Sequence, residues 1–202
     1  EEYVRRAPPE RESALKLARA CLEIDPGRAA QYAARVAKRS PDDLQAKLTG
    51  IAAGIRAVRD GTSDVDITAL VGELTRLRES YPAEAEVRVL LATIARLQDR
   101  PEDGLAELRR AVEECDDKMT AALELARFAQ EQGRGDEAIE AAGKAVKWRP
   151  DLAAPRIRLA QLHESARRLD EARSVLDQAV AELKDPEKPR VQFALGRFLL
   201  AH

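Results

Sequence analysis

Apolar residues recur along this chain at one fixed distance. Leu91-Ala92, Leu125-Ala126 and Leu159-Ala160 are large-small pairs set 34 residues apart, and Ala111, Ala145 and Ala179 follow at the same interval. The segments Gly104-Leu105-Ala106-Glu107-Leu108, Ala138-Ile139-Glu140-Ala141-Ala142 and Ala172-Arg173-Ser174-Val175-Leu176 align at that offset as well. Around each, apolar positions return every three or four residues with charged ones between them, as in amphipathic helices that bury one side and wet the other. A unit of this length holds two helices. Its small residues let backbones approach, and its large ones fill the space between neighbours.

The spacing predicts repeats over residues 85–118, 119–152 and 153–188. Upstream, "RSPDDL" (Arg39–Leu44) and "SYPAEA" (Ser80–Ala85) share the helix-ending pattern of "WRPDLA" (Trp148–Ala153) and bound a degenerate repeat, 43–82. Pro41 and Pro82 are 41 residues apart, seven above the period, and the surplus is expected in the turn-rich Asp60–Asp66, before a helix Ile67–Glu79. Residues 10–39 read as an opening hairpin, Glu10–Ile24 and Arg28–Arg39, joined by the turn Asp25-Pro26-Gly27, with Tyr3 and Val4 docking loosely or not at all. Residues 189–202 read as an incomplete repeat or terminal helix, broken from the rest by Pro186 and Pro189. There Phe193, Phe198, Leu199 and Leu200 leave apolar surface uncovered, which points to truncation from a longer protein or to docking of a second copy. All of 1–202 is taken as one domain.

Composition agrees with packed helices: 45% hydrophobic and 35% charged, with only 3% aromatic. The net charge is −2, from 34 basic and 36 acidic residues mixed throughout, so no basic stripe awaits a phosphate backbone and a nucleic-acid partner is not expected. Apolar runs fall short of a membrane span. Cys21 and Cys115 lie inside helical apolar patterns as small hydrophobes, and neither cysteines nor histidines cluster as metal ligands, so no cofactor is expected. The chain opens at Glu1 with no signal-peptide pattern and no initiator Met, which reads as a missing N-terminus. Compartment and organism stay open, with the cytoplasm favoured over the periplasm and the Ala- and Arg-rich composition fitting a bacterial source.

With its period and its L-G, small and proline slots, the chain resembles the tetratricopeptide repeat family. In 119–152 the slots hold Leu125-Ala126, Ala129, Ala138, Ala142 and Pro150; in the next unit Leu159-Ala160, His163, Ala172, Leu176 and Lys184; in the preceding one Leu91-Ala92, Ala95, Gly104, Leu108 and Asp116. Arg88, Ala122 and Arg156 stand in the tryptophan slot, so the aromatic half of the pattern is absent. The resemblance implies an all-α fold, a right-handed α-α superhelix of about five helix pairs. It also implies a concave groove lined by first helices at Glu86, Val89, Thr93 and Arg96, at Thr120, Leu123, Arg127 and Gln130, and at Ala154, Ile157, Arg158, Gln161 and Glu164. Arg96, Arg127 and Arg158 form either a basic ladder for an acidic peptide or solvated charges paired with Glu124, Glu131 or Glu164. The Lys and Asn clamp of some family members has no counterpart, since the comparable slots hold Val89 and Thr93, or Leu123 and Arg127.

The expected function is a non-catalytic scaffold that binds a protein or peptide in this groove. The alternative is a regulatory or substrate-presenting arm of a larger enzyme or export machine; RNA recognition by related helical hairpins fits poorly with the near-neutral charge and scarce aromatics. His163 has no nucleophile partner, and Trp148 reads as inter-repeat packing or an exposed anchor. The tripeptide Arg134-Gly135-Asp136 looks like a cell-adhesion signal. Its period places it at a helix-to-helix turn, where Gly133 and Gly135 are expected in left-handed conformation and Asp136 as a helix cap.

Overall fold

The computed structural model describes residues 11–202; Tyr3, Val4 and Glu10 lie outside the described residues. The fold is all-α. Eleven helices and no strand are found among the described residues: α1 (Arg11–Cys21), α2 (Pro26–Arg39), α3 (Leu44–Arg59), α4 (Ile67–Ser80), α5 (Ala85–Leu97), α6 (Pro101–Glu114), α7 (Lys118–Glu131), α8 (Gly135–Trp148), α9 (Ala153–Ser165), α10 (Leu169–Glu182) and α11 (Lys188–Ala201). In chain order they make five helix pairs and one further helix. Contacts divide them into two compact units: the chain up to Ser80 with Thr93–Asp99, and Tyr81–Ala92 with Arg100–His202.

In the first unit α1, α2 and α3 pack on one another. Asp25 caps α2 by accepting from the Arg28 amide at 3.0 Å, and Asp43 caps α3 by accepting from the Ala46 amide at 3.1 Å. Pro26 therefore opens α2 instead of turning the chain before it, as suits a residue whose lost N–H would be orphaned there anyway. The seven-residue surplus is shared. Seven residues, 60–66, link α3 to α4 where three link α7 to α8 and α9 to α10, and α3 itself has 16 residues against 13 in α9.

In the second unit each helix packs on the next from α6 to α11, and α9 also touches α7 and α11. Alanines at the repeating small positions carry the packing: Ala111, Ala145 and Ala179 are fully buried, as are Ala138 and Ala172. Around Ala111, Ala138 and Ala145 lie Leu105, Leu108, Leu125, Phe128 and Leu162, and Ala172 and Ala179 cluster instead with Leu176, Val191 and Phe198. The tryptophan slot of the repeat is filled differently. Arg88 is buried and bonds Glu107 at 2.9 Å and also Glu114; Arg156, 68 residues on, is buried and bonds Glu182 at 2.5 Å and the Pro150 carbonyl. In the repeat between them the pair becomes Ala122 and Trp148, which stand at the corresponding positions. There the large group has moved from the first helix to the end of the second.

The period extends to backbone conformation. Positive φ occurs at Asp99 (55°), Gly133 (73°) and Arg167 (61°), one per turn and 34 residues apart. Gly135 does not share it, since it is already the first residue of α8. Nor does Asp136 act as a cap. The cap positions of α6, α8 and α10 are Arg100, Arg134 and Arg168, none of which makes a side-chain cap bond, and acidic residues in each first turn supply the negative charge that a helix start favours. Arg134 reaches back to Glu102, and Arg168 reaches back to Asp136 at 2.6 Å. Both charged residues of the adhesion-like tripeptide are thus engaged in ties between successive repeats.

Candidate functional site

The first helices α7 and α9 are joined on one face by a chain of polar side chains. Arg158 Nη2 donates to Gln130 Oε1 at 2.9 Å, Gln130 Nε2 donates to Ser165 Oγ at 3.1 Å, and Ser165 Oγ donates to the Gln161 carbonyl at 2.9 Å. Positions three and seven residues apart share a helix face, which is why Gln130 of α7 reaches both Arg158 and Ser165 of α9 here.

The two arginines of this face differ in charge balance. Arg127 bonds Glu124 Oε2 at 2.7 Å and Glu131 Oε1 at 2.8 Å on its own helix. Burial pulls its pKa down, and these carboxylates outweigh it to leave the pKa raised. Arg158 bonds only the neutral Gln130, and no carboxylate lies within ion-pair distance of it among the described residues. Burial, and then the charge of Arg127, lower its pKa, yet a guanidinium stays charged at any physiological pH. Glu124 and Glu131 act on it only from a distance and offset part of this, so Arg158 is a half-buried cation with no direct ion pair.

The other predicted groove residues fall into three groups. Val89 and Leu123 are half-buried against the main core, and Ile157 against the core of α9 to α11. Thr120 and Ala154 are exposed near the starts of their helices, and Glu86 is half-buried in the first turn of α5. Thr93 and Arg96 belong to the first unit, Arg127 and Arg158 to the second.

Where α9, α10 and α11 meet there is a small cleft of about 120 Å³, with Ile157, Leu176 and Phe198 below and Gln161, Glu164 and Arg197 at its edge. His202 Nε2 lies 2.9 Å from Glu164 Oε1, and its ring is 5.0 Å from that of Phe198. Ser165 and Arg197 were not legible as site residues: Ser165 carries no repeat signal, and Arg197 lies in a unit whose register no second helix fixes. His163 is half-buried, with Nδ1 unpaired and burial lowering its pKa. No group of three metal-ligating side chains occurs among the described residues, no described helix is long and apolar enough to cross a membrane, and both cysteines are free thiols.

A family model described as tetratricopeptide repeat matches residues 129–195. The solved structure of TTC0263, a thermophilic TPR protein of Thermus thermophilus, is similar at a TM-score of 0.66 and 18% identity, over 95% of this chain and 100% of that one. Yeast Tom70 is similar at 0.64 and 16%, over 95% of this chain and 40% of that one, and Pseudomonas aeruginosa pilF at 0.57 and 14%, over 95% and 83%. At these identities the likeness establishes the fold. No curated protein matches the sequence.

Proposed function

From the tetratricopeptide-repeat match over residues 129–195 and the fold it shares with TPR proteins, an architecture suited to protein-interaction scaffolds, we propose that the α7–α9 face binds an acidic peptide or helical segment. One observation supports this above all: Arg158 is positioned by Gln130, partly desolvated and bonded directly to no carboxylate, with Glu124 and Glu131 acting on it only from a distance. A partner's Asp or Glu would supply the direct carboxylate that Arg158 lacks, through a charge-assisted, two-pronged bond. Arg127 already has two carboxylates and steers more than it grips. Within the same unit, Glu86 and Val89 of α5 extend the same reading. The scaffold is non-catalytic in this proposal.

The test uses two fluorescein-labelled 15-residue peptides, one of Glu and Ala and one of Lys and Ala, read by anisotropy. The acidic probe binds, and more weakly as salt rises. Arg158→Gln weakens it about tenfold, matching the loss of one charge-assisted contact of ~1.4 kcal/mol. An acidic probe that binds no better than the basic one, or an Arg158→Glu variant with unchanged affinity, refutes the proposal.

Self-association through α11 is a second reading with its own observation. Phe193 is 71% exposed and Leu200 91%, two turns apart on one helix. Large side chains standing so far into water on a single helix favour a covering partner. Sedimentation over a concentration series reads this directly, and Leu200→Asp is expected to hold the chain monomeric.

A further inference from the structure

The first unit contains an open groove of about 840 Å³ between α2, α3 and the loop that leads to α4. Its walls are mostly small: Ala30, Ala34 and Ala37 of α2 face Gly50, Gly54 and Ala57 of α3. The long 60–66 connection lies along one end, where Val65 is 37% exposed and the neighbouring Ile24 88%. Leu70 and Val65 already lie over Gly54, and the remaining alanines with Gly50 leave room for large side chains from a further helix, because helix backbones approach closely where side chains are short.

We propose that this groove receives α11 of a second copy of the chain, an inference that rests on the self-association reading above and adds its receiving surface. Three features of the two surfaces match. The first is shape: α11 offers Phe193, Leu199 and Leu200 as exposed large groups, and the groove offers small ones. The second is length. The groove follows α3 from Ala46 to Ala57, on the order of 18 Å at 1.5 Å per residue, and the 14 residues of α11 span roughly 21 Å. The third is charge. Helix α11 carries Lys188, Arg190 and Arg197 and no carboxylate, although Arg190 pairs with Glu187 just before it, which leaves Lys188 and Arg197 as its cations for a partner. Glu73 lines the groove and Asp64 stands between the lining residues Ser63 and Val65, and neither has an ion-pair partner among the described residues; the groove's one lining cation, Lys47, lies 3.9 Å from Asp42, and its other carboxylate, Asp25, pairs with Arg28. An α11–α11 pair would instead set cations against cations. A helix in a groove elsewhere on an identical molecule is a heterologous contact, so each bound copy still presents one free helix or one free groove.

The experiment is a complementation by sedimentation velocity. One variant blocks the groove, Ala34→Arg with Gly50→Arg; Ala34 is exposed, and a side chain at Gly50 meets only the Ala33 methyl at 3.8 Å. The other disables the helix, Phe193→Ser with Leu200→Asp, both at exposed positions. Circular dichroism melts establish that both variants fold. The expected result is that the wild-type chain associates, each variant alone sediments as a monomer, and their 1:1 mixture gives a species of twice the monomer mass that weakens as salt rises. If the groove-blocked variant still associates alone while the helix variant does not, the groove is not the receiver, and self-association by α11 stands without it. If the wild-type chain is monomeric throughout, both readings fall.

Discussion

The ring of Phe128 on α7 occupies the space that a methyl group on Gly104 of α6 would need, its Cζ lying 2.7 Å from the ideal Cβ position. One repeat later the corresponding pair is Ala138 and Leu162, so a larger residue on one helix is matched by a smaller one on the other. Gly104→Ala is therefore expected to destabilise by about 1–3 kcal/mol through overpacking, although alanine favours helix. Gly143→Ala, on a helix and with nothing within 4 Å of its added methyl, is the control and is expected to stabilise by about 0.5–1 kcal/mol. Urea melts check both. Combining Gly104→Ala with Phe128→Leu reproduces the neighbouring pair, and the double variant is expected to lose less than the two single losses summed.

The buried arginines differ in how much they depend on one partner. Glu107 is 17% exposed beside Arg88, and Glu107→Ala leaves a buried guanidinium with the more exposed Glu114 as its remaining carboxylate; a loss on the order of 3 kcal/mol is expected. Glu182 is 60% exposed, and Arg156 keeps its two bonds to the Pro150 carbonyl without it, so Glu182→Ala is expected to cost less than about 1 kcal/mol. Equal losses in denaturant melts would contradict this ranking.

Turn geometry makes opposite forecasts for equivalent positions. Gly133→Ala forces a methyl into left-handed backbone and is expected to cost about 1 kcal/mol, whereas Arg167→Gly relieves that strain and is expected to be neutral or slightly stabilising. Thermal melts of the two variants decide it.

His163 predicts a pH dependence. Burial holds its folded pKa below the ordinary 6.5, so the unfolded chain takes up the proton more readily. The resulting penalty is absent well above pH 6.5 and grows as pH falls through that value. His163→Phe removes the titrating group, and its Tm is expected to drop less than that of the wild-type chain between about pH 7.5 and pH 5.5. Parallel drops would show that His163 contributes nothing to the slope.

The fold was legible because period and side-chain size act locally: Leu125-Ala126 and Ala145 mark where helices touch, and any chain with such marks every 34 residues stacks in the same way. Turn chemistry was partly legible. Gly133 announced its left-handed turn, but Asp99 and Arg167 adopt it with no such signal, and Asp136 looked like a cap because its residue type allows one. The polar link from Arg158 through Gln130 to Ser165 was half visible. Sequence spacing placed Arg158 and Gln130 on facing helices, and only coordinates reveal which arginine its own helix neutralises. Exchanges such as Arg156 with Glu182 for Ala122 with Trp148 join residues 26 apart, a separation that helical periodicity does not encode.

The ties at the turns, Arg134 to Glu102 and Arg168 to Asp136, each join one repeat to its immediate predecessor and to nothing further away. A chain held by such short-range clasps has no central keystone: loosening that begins at α11 has to travel inward one clasp at a time. Amide protons in α10 should then exchange sooner than those in α8, and cutting the Arg168 clasp should advance that front without disturbing the helices behind it.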